Sequence, residues 1–340
     1  MRRHDTLDGS TRVAALDGFR GLAVLLVAWG HLRYEFIAVQ AGGVGVSMFF
    51  VLSGYLITAI LMRDLDGFGR IQMKRFFVRR ARRLLPALFL LVAIIGLAAG
   101  VKGWLDVWWD RAWPTLLYIS DIEMSKHGGL MFFSQTWTLS VEEHFYMVWP
   151  LVLPFVWRNP QRLIALTAAL LAYRVWLVAD GRTSHAYFTT DGNAYALLAG
   201  CWVAVQRPRG RSWWAPVSVL GIVALAVFGD AMSQPAWLPV IASVLSVPAL
   251  IALREGRHRW LEFRTLVWFG TISYGLYLWH GALLWITDAD RIVVLGISIA
   301  IAWLSWTFLE KRWLNPKSLR SAPAMRVSVP INSRRNAPTV

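Results

Sequence analysis

Residues 84–101 read LLPALFLLVAIIGLAAGV and contain no charged side chain. A run of about 18 or more such residues predicts a helix that crosses a bilayer, whose hydrocarbon core is roughly 30 Å thick. Working outward from this run, we predict ten transmembrane helices, at residues 14–33, 42–62, 84–101, 137–157, 163–179, 193–206, 213–229, 237–253, 266–286 and 292–310. The expected fold class is all-α, a polytopic integral membrane helix bundle.

The composition agrees with a membrane protein. Apolar residues make up 56% of the chain and charged residues 16%, against about 45–50% and 25% in soluble domains. The 20 Trp fit side chains gathered at membrane–water interfaces. A net charge of +15 would favour a nucleic-acid partner in a soluble protein, but removing the helices leaves no soluble basic domain, so we expect none. Cys201 is the one cysteine, which excludes an intrachain disulfide.

Loop charges predict the orientation, because Lys and Arg are retained on the cytoplasmic side. With both termini cytoplasmic, the inner loops hold most of the 35 basic residues, including a dense group in residues 63–83. Two others, Arg20 and Arg174, lie within spans. The outer loops hold Arg33, Lys102, Arg111, Lys126, Arg182 and Arg291. We therefore expect a multi-pass protein of the inner (plasma) membrane.

The segment 104–120 is apolar but interrupted by charges and Pro114. If it crossed the membrane, the charge bias of every later loop would invert, so we expect an interfacial or re-entrant segment on the outer face. Residues 14–32 lack a following small-x-small cleavage site and are expected to stay as the first membrane helix. The expected division is a cytoplasmic segment at 1–13, a membrane domain at 14–312 and a polar, disordered cytoplasmic tail at 313–340.

The first predicted helix carries Arg20 and His31. Ionisable groups inside a bilayer are costly and usually mark function. The two residues are 11 positions apart, which in a helix gives about 20° of offset and about 16 Å of separation, so both lie on one face. The alternative is an Arg that reaches the interface and a His satisfied by a backbone carbonyl.

A basic run, RRARR at residues 79–83, stands as a loop at the cytoplasmic entrance of the third span. Guanidinium groups bind phosphate oxygens bidentately, so Arg79, Arg80, Arg82 and Arg83 could hold a phosphate-bearing ligand. The alternative is a topology anchor on anionic lipid.

Residues 136–146, TWTLSVEEHFY, open the fourth span. Glu142, Glu143 and His144 enter it at the same predicted depth as His31. A carboxylate beside a neutral imidazole orients its tautomer and stabilises the imidazolium that forms on proton abstraction. We expect Glu142 to have this role and Glu143 to be an interfacial cap.

The chain resembles the membrane acyltransferase family 3, which acylates cell-envelope glycans and other acceptors in bacteria. The resemblance covers about residues 11–312. Five motifs carry it in the family's order: LDGFRG at 16–21 with His31, GVSMFFVLSGYLI at 45–57, RRARRLLP at 79–86, the run 137–146, and SYGLYLWH at 273–280.

The resemblance implies an acyl donor, acyl-CoA and commonly acetyl-CoA, taken from the cytoplasmic side. It assigns essential roles to Arg20 and His31, an Arg-x-x-Arg pair to Arg80 and Arg83, and an acid to Glu142. Arg79 and Arg82 have the same spacing as that pair. Secondary candidates within the motifs are Glu143, His144, Ser53, Tyr55, Tyr274 and His280.

Three positions depart from the family's usual pattern. His144 stands where Gln is usual, so a second imidazole is expected in the site. Asn193 and Tyr195 stand where many relatives have Arg and Asp, and Gly281 follows the last motif where Pro is common. His127, His185 and His258 lie in predicted loops and are expected to be solvated. For His280, a site residue and a packing residue are equally open.

The function predicted on these grounds is acyl transfer from cytoplasmic acyl-CoA to a hydroxyl of an envelope glycan, glycolipid or small-molecule acceptor at the outer side. His31 would be the base or acyl relay, assisted by Glu142. No metal is expected, because no set of histidines and carboxylates has metal-ligand spacing. An intramembrane metalloprotease is not expected either, since no His-Glu-x-x-His occurs. Acceptor choice is expected in loops 102–136 and 180–192. The alternative is a transporter that gathers an anionic substrate at the same basic entrance, although we find no inverted repeat.

Overall fold

The computed structural model describes residues 13–32, 37–232, 236–255, 258–287 and 289–311, without the side chains of residues 37–40 and 230–232. These described residues form helices and turns and contain no β-strand, which confirms the predicted all-α class. The predicted cytoplasmic segment, apart from Val13, and the predicted tail lie outside the described residues.

The described residues contain thirteen α-helices and two short irregular helical segments. The α-helices are α1 Ala14–Leu32, α2 Ile37–Phe68, α3 Met73–Val101, α4 Leu105–Leu116, α5 Ser120–His127, α6 Trp137–Val156, α7 Pro160–Ala179, α8 Thr183–Phe188, α9 Thr190–Gln206, α10 Trp214–Met232, α11 Leu238–Leu253, α12 Arg264–Ile286 and α13 Arg291–Ser305. A 3₁₀ segment, Met131–Thr136, precedes α6, and a π-helical segment, Trp306–Glu310, continues α13.

Every predicted span falls on one of these helices, but they are not equally suited to crossing a membrane. Five described helices are long and apolar enough by length and hydropathy: Ala14–Leu32, Ala41–Phe68, Met73–Val101, Pro160–Ala179 and Arg291–Glu310. α10 and α11 also contain apolar stretches, Trp214–Gly229 and Leu238–Leu253, that are shorter. The membrane character of the chain is therefore supported, while the total of ten spans stays a prediction.

The predicted outer segment 104–120 contains α4, a helix of 12 residues. At about 1.5 Å per residue it spans about 18 Å, which is shorter than the roughly 30 Å hydrocarbon core. Its length therefore agrees with a segment that does not cross the membrane.

The bounds of the predicted loop at residues 63–83 are wrong, because the connection covers only residues 69–72. α2 runs on to Phe68 and α3 begins at Met73, so the RRARR run lies inside α3. Arg has a good helix propensity, and its long side chain lets the charged head leave an apolar surface, so the helix continues through the basic run. This placement fixes the arginines on a rigid element rather than on a flexible connection.

Helices α2 and α9 approach each other closely at two glycines. A Cβ on Gly54 of α2 would lie 1.9 Å from the carbonyl oxygen of Leu197 in α9, and one on Gly200 of α9 would lie 1.9 Å from that of Val51 in α2. Small residues let helices approach closely in membranes, where packing and not water expulsion drives association. The α2–α9 contact therefore depends on glycine from both sides.

The outer surface of the bundle is apolar. Large side chains more than 60% exposed include Leu97, Val101, Phe155, Leu220, Phe228 and Ile292. The interior holds large fully buried side chains such as Trp149, Trp279 and Phe19. An apolar exterior of this kind is expected where the surrounding solvent is lipid.

Candidate functional site

A cavity of about 480 Å³ opens among α1, α2, α3, α6 and α12. This volume falls in the usual range of ligand sites, about 300–1,000 Å³. Predicted site residues from all five helices line it: Arg20, Ser53, Arg79, Arg80, Arg83, Glu142 and Tyr274. The structure therefore brings together residues that are up to 254 positions apart in the sequence.

The cavity is long. Its lining residues on α2 run from Val46 to Phe68, which at about 1.5 Å per residue is roughly 33 Å. This is close to the roughly 30 Å thickness of a hydrocarbon core. A ligand could therefore extend along most of the length of a membrane-spanning helix.

One end of the cavity is strongly basic. Arg63, Arg75, Arg79 and Arg83 line it near the connection between α2 and α3, with Asp64 as the acid among them. Arg63 and Arg75 were counted in the sequence only as topology charges. A group of guanidiniums facing one cavity suits a ligand with several phosphate oxygens.

Arg80 binds both glutamates of α6. Its Nε donates to Glu143 Oε1 at 2.5 Å, and its Nη2 lies 3.5 Å from Glu142 Oε2. Its guanidinium carbon also lies 3.8 Å from the ring centroid of Tyr146. The prediction that Glu143 is an interfacial cap is therefore wrong, because its carboxylate faces α3 and holds Arg80 in place.

Glu142 makes a second contact across the cavity. Ser53 Oγ donates to Glu142 Oε1 at 2.5 Å. Both residues line the cavity, on α2 and α6. Ser53, Glu142 and Arg80 thus form one hydrogen-bonded cluster that joins three helices in the cavity wall.

His31 and His280 form a pair at the end of α1. Their ring centroids are 4.9 Å apart at an interplanar angle of 69°, and His280 Nε2 lies 3.3 Å from His31 Nδ1. His31 Nδ1 lies 2.8 Å from the carbonyl oxygen of Val27, and His280 Nδ1 lies 2.8 Å from that of Leu276. His31 is exposed, whereas His280 is buried.

These contacts assign the tautomers of the neutral rings. A carbonyl oxygen only accepts, so each Nδ1 that faces one must carry the hydrogen. Each Nε2 then has a lone pair, and that of His280 faces Nδ1–H of His31. The lone pair on His31 Nε2 is left to act as a base or a nucleophile.

Tyr277 stands between the cavity and the histidine pair. It lines the cavity, and its ring centroid is 5.8 Å from that of His280. Its hydroxyl donates to the carbonyl of Gln135 at 2.9 Å and accepts from Thr138 Oγ1 at 2.8 Å. Tyr277 is therefore a further candidate site residue, which belongs to the SYGLYLWH motif but is not among the residues predicted from the sequence.

Comparison with known proteins identifies the chain. An acyltransferase domain matches residues 13–315. The chain belongs to the membrane acyltransferase family 3. The resemblance stated from five motifs is confirmed, and the predicted enzyme class is confirmed at the level of an acyltransferase domain.

Two bacterial relatives illustrate the similarity. The peptidoglycan O-acetyltransferase OatA of Listeria monocytogenes is 29% identical, over 88% of this chain and 55% of the relative. The Bacillus subtilis protein named "Putative peptidoglycan O-acetyltransferase YrhL" is 30% identical, over 88% of this chain and 54% of the relative. The chain thus spans about half the length of these relatives. No solved structure matches.

The cavity distinguishes the two registers of the family's Arg-x-x-Arg pair. Arg80 and Arg83 both line it, as does Arg79, whereas Arg82 is not among its described lining residues. The register carried over from the family, Arg80 with Arg83, is therefore the one that faces the cavity. Tyr55 also lies outside the described lining, while Tyr274 lines it and donates to the carbonyl of Leu84 at 2.8 Å.

The direct pairing of His31 with Glu142 stays a prediction. Within the described residues no hydrogen bond joins them: Glu142 contacts Ser53 and Arg80, and His31 contacts Val27 and His280. For His280, the alternative to a site role was a helix-packing residue bonded to Tyr or Ser. Its hydrogen-bond partners are instead a backbone carbonyl and the second histidine.

Two of the positions where the chain departs from the family pattern have local partners. His144 Nδ1 lies 2.9 Å from Thr190 Oγ1 and 3.3 Å from Asp121 Oδ2, outside the cavity, so the expected entry of a second imidazole at this position is wrong. Asn193 donates to the carbonyls of Tyr187 and Thr189, at 2.7 and 2.9 Å.

Two further expectations concern solvated histidines and metals. His258 is 5% exposed, so its expected solvation is wrong, whereas the side chains of His127 and His185 are 60% and 38% exposed. Among the described residues, no group of three or more His, Cys, Asp and Glu is arranged to hold a metal ion.

Proposed function

We propose that this protein is an O-acyltransferase that moves an acetyl group from cytoplasmic acetyl-CoA to a hydroxyl of a cell-envelope glycan on the outer side of the inner membrane. The observation that carries the proposal is the long cavity, which is basic at one end and is also lined by Tyr277, whose ring lies next to the His280–His31 pair. The relatives' names, "Peptidoglycan O-acetyltransferase OatA" and "Putative peptidoglycan O-acetyltransferase YrhL", support acetyl as the acyl group and a glycan as the acceptor.

The donor would bind with its phosphates at the basic end. Arg63, Arg75, Arg79 and Arg83 supply the guanidiniums there, and each can bind two phosphate oxygens. The pantetheine arm would follow α2 toward Tyr277, past the Ser53–Glu142–Arg80 cluster. Arg20 lines the same cavity from α1, with its Nη1 3.3 Å from Asp17 Oδ1.

The chemistry assigned to His31 is proton transfer at Nε2. The imidazole takes the proton of the acceptor hydroxyl, whose oxygen attacks the thioester carbonyl. The carbon–sulfur bond then breaks, and the CoA thiolate leaves and takes up the proton. A first transfer of the acyl group to His31 Nε2, followed by attack of the hydroxyl on the acyl-imidazole, balances equally well.

The topology belongs to the same proposal. Ten spans with both termini cytoplasmic would place the α2–α3 connection inside, where acyl-CoA is available, and α5 and α8 outside. The support for this orientation is the distribution of Lys and Arg among the loops.

The test uses the purified chain in liposomes, with radiolabelled acetyl-CoA on one side and an envelope-glycan extract on the other. We expect label in the glycan with wild type and with the exposed control Lys74→Ala, and none with His31→Ala or Arg80→Ala. Turnover by His31→Ala would remove the proposed base. If no acyl transfer or hydrolysis occurs but glycan crosses the bilayer, the transporter replaces the enzyme.

A further inference from the structure

A second concavity lies apart from the donor cavity and shares no lining residue with it. This groove, of about 790 Å³, is formed by α5, α8 and the start of α9, with one residue of α6. Most of its lining residues are of polar or charged types, and they include Asp121, His144, Lys126, His185, Thr190 and Asp191. None of the proposed donor chemistry uses these side chains.

Two histidine–aspartate pairs define the groove. His185 Nε2 lies 2.8 Å from Asp191 Oδ2, with both side chains about 40% exposed. His144 Nδ1 lies 3.3 Å from Asp121 Oδ2, and Thr190 Oγ1 donates to the same oxygen at 3.0 Å. Carboxylates, imidazoles and hydroxyls arranged in this way present both acceptors and donors to a ligand.

The second carboxylate oxygen of Asp121 is unusual. Asp121 is 1% exposed, and its Oδ1 has no hydrogen-bond partner among the described residues. A buried acceptor without a partner is destabilising, because it has given up its hydrogen bonds to water. Asp121 lines the groove, so a rotation of its carboxylate would let Oδ1 accept a hydrogen bond from a hydroxyl of a bound ligand.

Aromatic side chains flank the groove on α7. Tyr173 and Trp176 stack with ring centroids 5.6 Å apart, and Arg182, which lines the groove, lies 4.3 Å above the Trp176 ring. Trp176 is 49% exposed. Because Arg182 and Tyr173 already contact the Trp176 ring, only its remaining exposed surface can contact the C–H face of a sugar whose hydroxyls meet the polar residues of the groove.

The groove also lies close to the proposed reacting groups. On α6, Glu142 lines the donor cavity and His144, two positions on, lines the groove. On α8, His185 lines the groove, and Tyr187 lies two positions further on. The Tyr187 hydroxyl lies near Gly43 of α2, and the His31 ring lies near the neighbouring Gly42. The groove is therefore connected to the surroundings of His31 through the packing of α8.

We propose that this groove binds the acceptor glycan, with the His185–Asp191 and His144–Asp121 pairs contacting sugar hydroxyls. The inference rests on the proposed function, since it assigns the acceptor subsite of that reaction.

The experiment measures binding of a soluble tetrasaccharide of alternating N-acetylglucosamine and N-acetylmuramic acid to the full chain in nanodiscs. Asp191→Asn and His185→Gln alter half-exposed groove residues, and Asp106→Asn is the matched control in α4, exposed and outside the groove. A hydrogen bond to a charged group corresponds to about tenfold to a hundredfold in affinity. We expect at least tenfold weaker binding by both groove variants and wild-type binding by the control.

The same proteins are then assayed for acyl transfer. A rise in the KM for the tetrasaccharide without a rise in the KM for acetyl-CoA is the expected signature of an acceptor subsite. Three results would refute the proposal that the groove binds the acceptor. They are unchanged tetrasaccharide affinity in Asp191→Asn, equally weakened affinity in Asp106→Asn, and no binding of the tetrasaccharide by the wild type. If the wild type transfers acetyl groups and the groove variants keep the wild-type KM for the tetrasaccharide, the acceptor-site proposal is refuted while the proposed acyltransferase function is retained. If the wild type binds the tetrasaccharide but transfers no acetyl group to it, the proposed acyltransferase function is refuted while the groove is retained as a glycan-binding site.

Discussion

Replacing Arg80 by methionine would remove a cation that contacts both glutamates of α6. Methionine keeps much of the side-chain length, so the main loss is the charge. The side chains of Arg80, Glu142 and Glu143 are 15–17% exposed, which is close to buried. Removing one partner of a buried ion pair costs about 3–5 kcal/mol, and an exposed pair is worth about 0–1 kcal/mol. For this degree of exposure we expect a loss of about 2–4 kcal/mol.

The assay is unfolding of the purified protein in mixed detergent micelles, followed by circular dichroism. Lys74→Met is the matched control, because Lys74 is an exposed residue of the same helix, and it should change stability by less than about 0.5 kcal/mol. Adding Glu143→Gln to Arg80→Met should restore part of the loss, because one uncompensated carboxylate is then gone.

The double variant also separates stability from function. Its stability should recover in part while acyl transfer stays absent, since Arg80 lines the proposed donor site as well. Equal stability of Arg80→Met and the Lys74 control, or no recovery in the double variant, would refute the reasoning that Arg80 balances the charge of the two glutamates.

Three further predictions follow from other contacts. Gly54→Ala should lower the free energy of unfolding by at least about 1–3 kcal/mol in the same assay, because the new Cβ meets the backbone of α9. The control is Gly296→Ala, whose Cβ meets open space; it should leave the free energy of unfolding unchanged or raise it by up to about 1 kcal/mol. Equal effects of the two substitutions would contradict the close approach of α2 and α9. His280→Phe should lower kcat for transfer at least tenfold by removing the imidazole beside His31, with the KM for acetyl-CoA unchanged, and an unchanged kcat would exclude a role for the pair. Arg174→Met should destabilise the protein by about 2–3 kcal/mol, measured by thermal unfolding, because it leaves the buried carbonyls that its guanidinium binds without donors; wild-type thermal stability would refute this.

Much of the fold could be predicted from the sequence, because an uncharged apolar run has few alternatives to a membrane helix. Helix ends were less predictable where charge and helix propensity disagree. The run at 79–83 was predicted as a loop because it is basic, yet arginine favours helix, and α3 starts six residues earlier, at Met73. Hydropathy detects the apolar part of a helix and misses its charged extension.

The candidate site was predictable in its members but less so in its pairings. Glu143 was predicted as a cap because it stands near the start of α6, and only the approach of α3 reveals that it holds Arg80. The same applies to Arg63 and Arg75, whose cavity-facing positions depend on how α2 and α3 pack. Contacts between helices distant in sequence leave no local signal in one sequence.

Arg20 and His31 are far apart on α1, and a contact through α12 connects the cavity with His31. Helical periodicity placed both on one face of α1, about 16 Å apart, but of the two only Arg20 is among the described residues that line the cavity. α12 supplies the connection: Tyr277 lines the cavity, and His280, three positions on, contacts His31. The ring of Tyr277 is therefore the part of the cavity wall that approaches the His31–His280 pair. Because the Tyr277 hydroxyl is bound to Gln135, just before α6, and to Thr138 in α6, contacts between α12 and the start of α6 fix this part of the wall.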